Sequence, residues 1–443
     1  MKPGARSLTA LALALAASGT ACGGDGDGGD PGAVSGEITW WDTSNATEAP
    51  VFARLVADFE RKYPDVEVKH VNVPFTEARG RYEAAARTGR GVPDVLRADV
   101  GWTAGLVEQG YLADLTDTPA LHERGDFLPS TAAGTALEGG VYGVPQVTDT
   151  LALFYNRRLL ERAGADRPPA TWRQLKATAA DVAAATGADG IALNTDPYFA
   201  LPFLYGEKGG MVDSGSRTIT VAGAASVRGA TTAAELVRSG AAPRPPAGGK
   251  AYDAMQEAFK NGDVAMMVNG PWATADALSG REFADPENLG VAPVPAGSTG
   301  RAGAPVGGHN LVVSKHAGNS GDSADGGDSG DEKADSADAA RHFVRFMTDA
   351  RQQERAAVRL GLLPTRKSAY TRKVLADPVR SAFYTALTKA VPREPLAQGQ
   401  ALFDELEPAW EAVLRRTESP RPALTGTAER WRAELLYGYR IAR

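Results

Sequence analysis

The sequence contains a single cysteine, Cys22, which excludes an internal disulfide and a cysteine-rich zinc site. Histidine is almost as scarce, with five residues scattered over the chain. Positive charge is not in excess. The 48 basic side chains face 54 acidic ones, a formal net charge of −6, so no broad basic field is available to hold a phosphate backbone. Nucleic acid is thereby excluded as a partner. No Gly-x-Ser-x-Gly elbow, His-Glu-x-x-His helix, Walker loop or Cys-x-x-Cys pair occurs, so the common catalytic templates find no footing. No cofactor or metal is expected, and the fold has to be held by packing.

What is present suffices for that. Hydrophobic residues make up 43% of the 443, enough for a core, and the length points to two or more domains. The first residues do not belong to that core. Lys2 and Arg6 precede an apolar run from Leu8 to Ala17, followed by the small residues Ser18 to Ala21. This is the make-up of a secretory signal, and the run is short for a membrane span. Residues 1–21 are therefore read as a signal peptide. Cys22 directly after it resembles the lipidated cysteine of bacterial lipoproteins, which predicts a lipid anchor there on the outer face of the cell membrane. Residues 22–35 are glycine- and aspartate-rich and read as a flexible tether. Within them Gly24, Gly26 and Gly29 match a dinucleotide fingerprint only in spacing, since neither strand nor helix flanks them.

From Gly36 the pattern alternates. A buried strand runs to Trp41, a helix from Pro50 to Tyr63 spaces Phe52, Leu55, Val56 and Phe59 on one face, and Val66 to Val73 alternates as a strand. A helix over 76–88, a strand at Pro93 to Leu96 and a helix over 103–109 follow. Thr148 to Tyr155 reads as one apolar strand, and Thr171 caps a long helix after Pro168 and Pro169. The strands at Gly190 and Val264 suggest a second unit. Such alternation predicts an α/β fold of mostly parallel sheets flanked by helices. The stretch 317–338, with acids set among Gly, Ser and Ala, reads as a solvated acidic loop without ordered structure.

Candidate binding residues cluster where strands are predicted to end, the usual ligand position in open α/β sheets. They are Trp40, Trp41, Asp42, Ser44 and Asn45, then Asp99 and Trp102, Asp149, Asp196 and Tyr198, Asn269 with Trp272, and Asn310. Indoles beside carboxyls and amides suit a sugar, whose C–H face packs on an aromatic plane while its hydroxyls bond to polar groups. A secreted glycoside hydrolase using Asp149 and Asp196 would show the same mixture, and a surface adhesin is a third reading.

The order Gly36-Glu-Ile-Thr-Trp-Trp41, Pro93 to Trp102, Gly110-Tyr-Leu-Ala-Asp-Leu115, Tyr142-Gly-Val-Pro145, Thr171-Trp172, Asn269-Gly-Pro-Trp272 and Leu289 to Pro295 resembles the solute-binding proteins of sugar ABC importers, the maltose-binding type in particular. The resemblance implies a type II periplasmic-binding-protein-like fold of two hinged lobes. One lobe is expected from 34–148 plus 297–348, the other from 149–296 plus 349–443. It further implies a monomer that holds an oligosaccharide, favouring maltose or maltodextrin, between the lobes and passes it to the permease subunits of the membrane. By the same resemblance Trp272 stacks on the sugar, Asp149 and Asp196-Pro-Tyr198 bond to it, and Asp99 and Trp102 line the cleft. Ser44 and Asn45 stand where one branch has a charged pair, and Arg393, Gln398 and Phe403 are the candidates from the carboxy-terminal region.

Overall fold

The computed structural model describes residues 34–137, 139–318 and 330–442. The signal, Cys22 and most of the tether lie outside the described residues. Two sheets organise the rest. In the first, parallel strands Gly36–Asp42, Val66–Asn72 and Val95–Asp99 form one half. The returning strand Pro305–Val313 lies antiparallel to both Val95–Asp99 and Val144–Thr150 and completes the other half. The second sheet sets Ala152–Asn156 antiparallel to Val264–Asn269 and Leu289–Pro293, and Asp189–Ala192 parallel to Val264–Asn269.

Each sheet carries its own core. In the first lobe the helix Ala49–Lys62 buries Val51, Phe52, Leu55, Val56 and Phe59, the face that the sequence spacing predicts. Trp40 is fully buried there, stacked on His70 with ring centroids 4.5 Å apart. In the second lobe the helix Trp172–Thr186 starts on a capping box: the Thr171 hydroxyl accepts from the Gln174 N–H and the Gln174 side chain accepts in return. Phe154, Phe259, Trp410 and Trp431 fill the core beneath it.

Three expectations are corrected. The single strand expected from Thr148 to Tyr155 is two, Val144–Thr150 and Ala152–Asn156, one in each sheet with Leu151 between them. An apolar run buried throughout conceals this break, because both halves look alike from the sequence. The acidic stretch is helical from Gly330, as the start of Gly330–Met347, whose Phe343 and Val344 are anchored in the first core. The chain also does not leave the first lobe at residue 349: the helix Ala350–Leu360 packs there, and Leu363–Pro364 pairs with Val144–Thr150. Val391–Pro392 then pairs with Pro305–Val306 before the helix Gly399–Arg415 packs onto the second core. These crossings all lie beside the opening between the lobes.

Candidate functional site

Between the lobes lies a cleft of about 1190 Å³, larger than a monosaccharide needs. A smaller cavity of about 310 Å³ adjoins it and shares Arg393 and Phe403. The larger is the candidate site, since both lobes and most of the aromatic candidates meet there.

The first-lobe wall is built on strand ends. Asp99 closes its strand, and its carboxylate accepts the Gly101 N–H at 2.7 Å, making the turn that presents Trp102. The Trp102 ring stacks on Phe75 with centroids 5.1 Å apart and planes at 28°. Phe75 is 45% exposed, one of few large apolar side chains so open, and gives this wall its accessible aromatic face. On the opposite wall the Asn269 side chain accepts the Gly270 N–H at 2.8 Å and donates to Gln256 at 2.9 Å, fixing the turn before Trp272. The Trp272 indole donates to the Tyr252 hydroxyl at 3.0 Å, and Tyr198 lies 6.4 Å from it, centroid to centroid.

Polar contacts tie the walls together. The Tyr198 hydroxyl donates to Asp149 at 2.8 Å, the Trp102 indole donates to Gln400 at 3.2 Å, and Arg393 pairs with Asp99 at 3.0 Å. The Arg393 guanidinium also lies over the rings of Tyr198 and Phe403, at 5.5 and 5.8 Å. Arg97, almost fully buried, pairs with Glu48 at 3.5 Å and donates to Gln146 at 3.0 Å. Burial first, then the charges of Arg97 and Arg393, holds the pKa of His309 well below its usual value, so that it faces the cleft as a neutral ring.

Asp149 is shifted the other way. Although it keeps a partly open edge on the cleft, burial pushes its carboxyl up to about 7, against the opposing Tyr198 hydrogen bond. Its ionised form is costly only in the folded protein. That cost is absent below the ordinary value of 3.8 and complete above about 7, so stability drains as pH rises through this window. Asp149→Asn keeps an acceptor for Tyr198 and escapes the cost. Its melting point is expected to match the parent near the acid end and to exceed it by a few degrees above neutrality, on a discounted ~1–2 kcal/mol. Melting curves across pH check this; a constant offset would contradict it.

The predicted residues divide. Asp99, Trp102, Asp149, Asp196, Tyr198 and Trp272 all line the cleft, as do Arg393 and Phe403. Asn45 is at the rim, but its side chain accepts the Thr47 and Glu48 N–H groups at 2.9 Å, a turn at the start of the first helix. Ser44 is buried against Asp42, and Trp41 packs on the cluster that holds Tyr82, Leu96 and Trp102; neither Ser44 nor Trp41 lines the cleft. Asn310 is fully buried inside the sheet, where it donates to Thr103, and is corrected from binding residue to sheet interior. Trp40 and Asp42 are likewise interior, and Gln398 only precedes its helix. Sequence reading misses Phe75, Arg97, His309 and Tyr252. It also misses Gln400, Asp404 and Glu407, which share a stripe with the predicted Phe403; their helical spacing was the available signal.

Comparison with known proteins gives a consistent picture. The family model described as bacterial extracellular solute-binding protein matches residues 40–354. The GacH receptor of Streptomyces glaucescens GLA.O, with crystal structures unliganded and in complex with acarbose and an acarbose homolog, is 44% identical. It superposes with a TM-score of 0.83, covering 92% of this chain and all of that one. Maltose-bound MalE3 of T. maritima is 26% identical with a TM-score of 0.78, covering 90% and 100% of the two chains. A protein of Deinococcus radiodurans named a probable ABC transporter-binding protein is 28% identical over 393 residues, 83% of this chain and 86% of its own. The match to relatives in Brucella abortus and Brucella suis spans 58% of this chain and 63% of their length.

Proposed function

Because the chain belongs to the bacterial extracellular solute-binding protein family, we propose that it is the binding component of an ABC importer for an α-linked gluco-oligosaccharide. The observation that carries this reading is the pair of facing aromatic walls, Phe75 on Trp102 and Trp272 beside Tyr198, across a cleft rimmed by carboxyls and amides. Each wall belongs to a different lobe. A ligand touching both therefore favours the closed arrangement over the open one by its differential affinity, and the closed form is what a permease would recognise. The maltose and acarbose complexes of similar proteins support this ligand class.

The ligand leaves unaltered. Asp149 and Asp196, the pair a hydrolase would need, each have an oxygen committed to Tyr198, one to its hydroxyl and one to its N–H at 2.8 Å. In the cell the mature chain is held at the outer face of the cell membrane through lipid on Cys22, works as a monomer, and hands sugar to the permease subunits.

The test is thermal unfolding with maltotetraose in excess. Ligand at about 100 times Kd adds roughly 2.7 kcal/mol, a rise of a few degrees. No reducing ends should appear on incubation with a longer maltodextrin. Absence of any shift with α-gluco-oligosaccharides, or steady release of reducing ends, would reject the reading.

A further inference from the structure

Beyond Arg393 and Phe403 lies the smaller cavity of about 310 Å³, at the lower end of the volumes that small ligands occupy. It is no isolated void. Arg393 and Phe403 line both spaces, and planar groups lead from one to the other: Trp272, Tyr198, Arg393 and Phe403, each 5.5 to 6.4 Å from the next. A chain lying along that path has the side cavity as its continuation.

The walls are set by local structure. The helix Leu201–Gly206 brings Tyr205 and runs into a turn whose Lys208 has a φ of 62°, a left-handed conformation that glycine adopts at less cost. The helix Gly399–Arg415 brings Leu402 beside Phe403, and Arg301 comes from the crossing before strand Pro305–Val313. Apolar side chains and polar ends share the lining, the mixture that suits a sugar ring.

Three of the polar groups are unused. Among the described residues the Tyr205 hydroxyl, the Lys208 ammonium and the Arg301 guanidinium have neither a hydrogen bond nor an ion pair. None of the three is enclosed, since Tyr205 is half-buried and the other two residues are exposed. Burial pushes the Tyr205 hydroxyl up to about 12, so near neutral pH it keeps a proton to donate. The acids of the lining are partly occupied: Glu394 accepts the Ser214 hydroxyl, and Asp213 accepts the Ser216 N–H at 2.9 Å. With Lys208 and Arg301 set against these two, and Arg393 matched by Asp99, the lining carries no formal net charge. A neutral hydroxylated ligand fits it better than an ion.

Resting on the oligosaccharide reading above, we infer that the side cavity is a further subsite, which takes the terminal glucose unit of an α-linked chain whose other units lie in the main cleft. The larger space is nearly four times the smaller, so if one unit fills the smaller, about four fill the larger on the same scale. The preferred ligand is then a pentasaccharide.

The experiment is isothermal titration of the parent, Gly210→Leu and Lys208→Gly with maltotetraose and with maltopentaose. Gly210 lines the side cavity, and a Cβ on it would meet Thr220 and Tyr205 at 3.6 Å, ordinary contact, so a leucine can occupy the space without displacing the backbone. Lys208→Gly removes the ammonium while favouring the backbone conformation already present. Melting points check that the variants stay folded. Maltopentaose is expected to bind the parent about ten-fold more tightly than maltotetraose, the gain of one or two hydrogen bonds from charged donors. Gly210→Leu is expected to erase that gain and Lys208→Gly to reduce it, both leaving maltotetraose affinity at the parent value. Equal affinities of the parent for the two sugars, or a gain that the folded leucine variant keeps, would overturn the inference while leaving the oligosaccharide reading standing; should the leucine variant not fold, a gain kept in full by Lys208→Gly overturns it. If neither sugar binds the parent, that reading fails and the inference with it.

Discussion

Arg393→Ala is expected to lower the melting point and to abolish measurable sugar binding together. The guanidinium is largely buried, and several groups depend on it: Asp99 as its ion pair at 3.0 Å, and the rings of Tyr198 and Phe403 beneath its planar face. Removing one partner of a buried pair leaves the other charge uncompensated, at a cost of about 3–5 kcal/mol where burial is complete, and somewhat less here because both groups keep an edge on the cleft. Asp149 and Asp196 would also lose a positive charge that offsets burial of their carboxyls. The binding defect follows from geometry. Arg393 joins the first-lobe carboxyl to the second-lobe tyrosine, so its loss unties both walls at once. Arg393→Lys separates the two contributions, since it keeps a positive charge and lacks the flat fork that stacks on aromatics. It should recover much of the melting point and little of the affinity. Calorimetry with maltotetraose beside thermal melts measures both, and an alanine variant that binds sugar like the parent would remove Arg393 from the site.

How much of this site could be read from the chain depends on what each residue type announces. Asn269-Gly-Pro-Trp272 is legible because its residues are adjacent and each has a local duty: an amide that fixes a turn, a glycine, and an indole delivered beyond it. Thr171 and Gln174 are legible for the same reason, as a capping box closed within four residues. Asn45 is the counterexample. A short amide after a strand serves equally to cap a helix or to bond a sugar, and only the observed turn at Thr47 and Glu48 decides for the cap. Asn310 fails differently: its burial depends on strands contributed by Val95–Asp99 and Val144–Thr150, far away in sequence.

The missed residues also lack a local signature. Phe75 looks like any first-turn apolar residue until Trp102 is set beneath it. His309 becomes a cleft residue only because its strand returns between two others that end there. The carboxy-terminal stripe is an intermediate case. Gln400, Phe403, Asp404 and Glu407 recur at helical spacing, yet their helix has a second, apolar face through Leu402, Leu406, Ala409 and Val413 that dominates the pattern. The polar stripe then reads as solvent-facing, and only the packing of that apolar face on the second core turns it toward the cleft.

Trp272→Ala is expected to lose about 30- to 100-fold in sugar affinity with little change in melting point. The indole packs on the rim of the second core and is part exposed, so truncation leaves no enclosed cavity. What it removes is an apolar plane of a size matching a sugar ring, worth roughly 2–3 kcal/mol from buried area and aromatic contact. Gly270→Ala tests the same plane without deleting it. A Cβ at position 270 would stand 1.9 Å from the indole ring, so the ring has to swing away while its area and its chemistry persist. If stacking in this one orientation is what the cleft uses, the glycine variant should approach the affinity loss of the truncation, whereas Trp272→Phe, which keeps a flat ring in place, should retain more affinity than either. If exposed apolar area alone drives binding, Gly270→Ala should remain close to the parent. Ordering the three variants by Kd for maltotetraose therefore tells a directional platform from a merely greasy wall, and parental affinity in Trp272→Ala would exclude both.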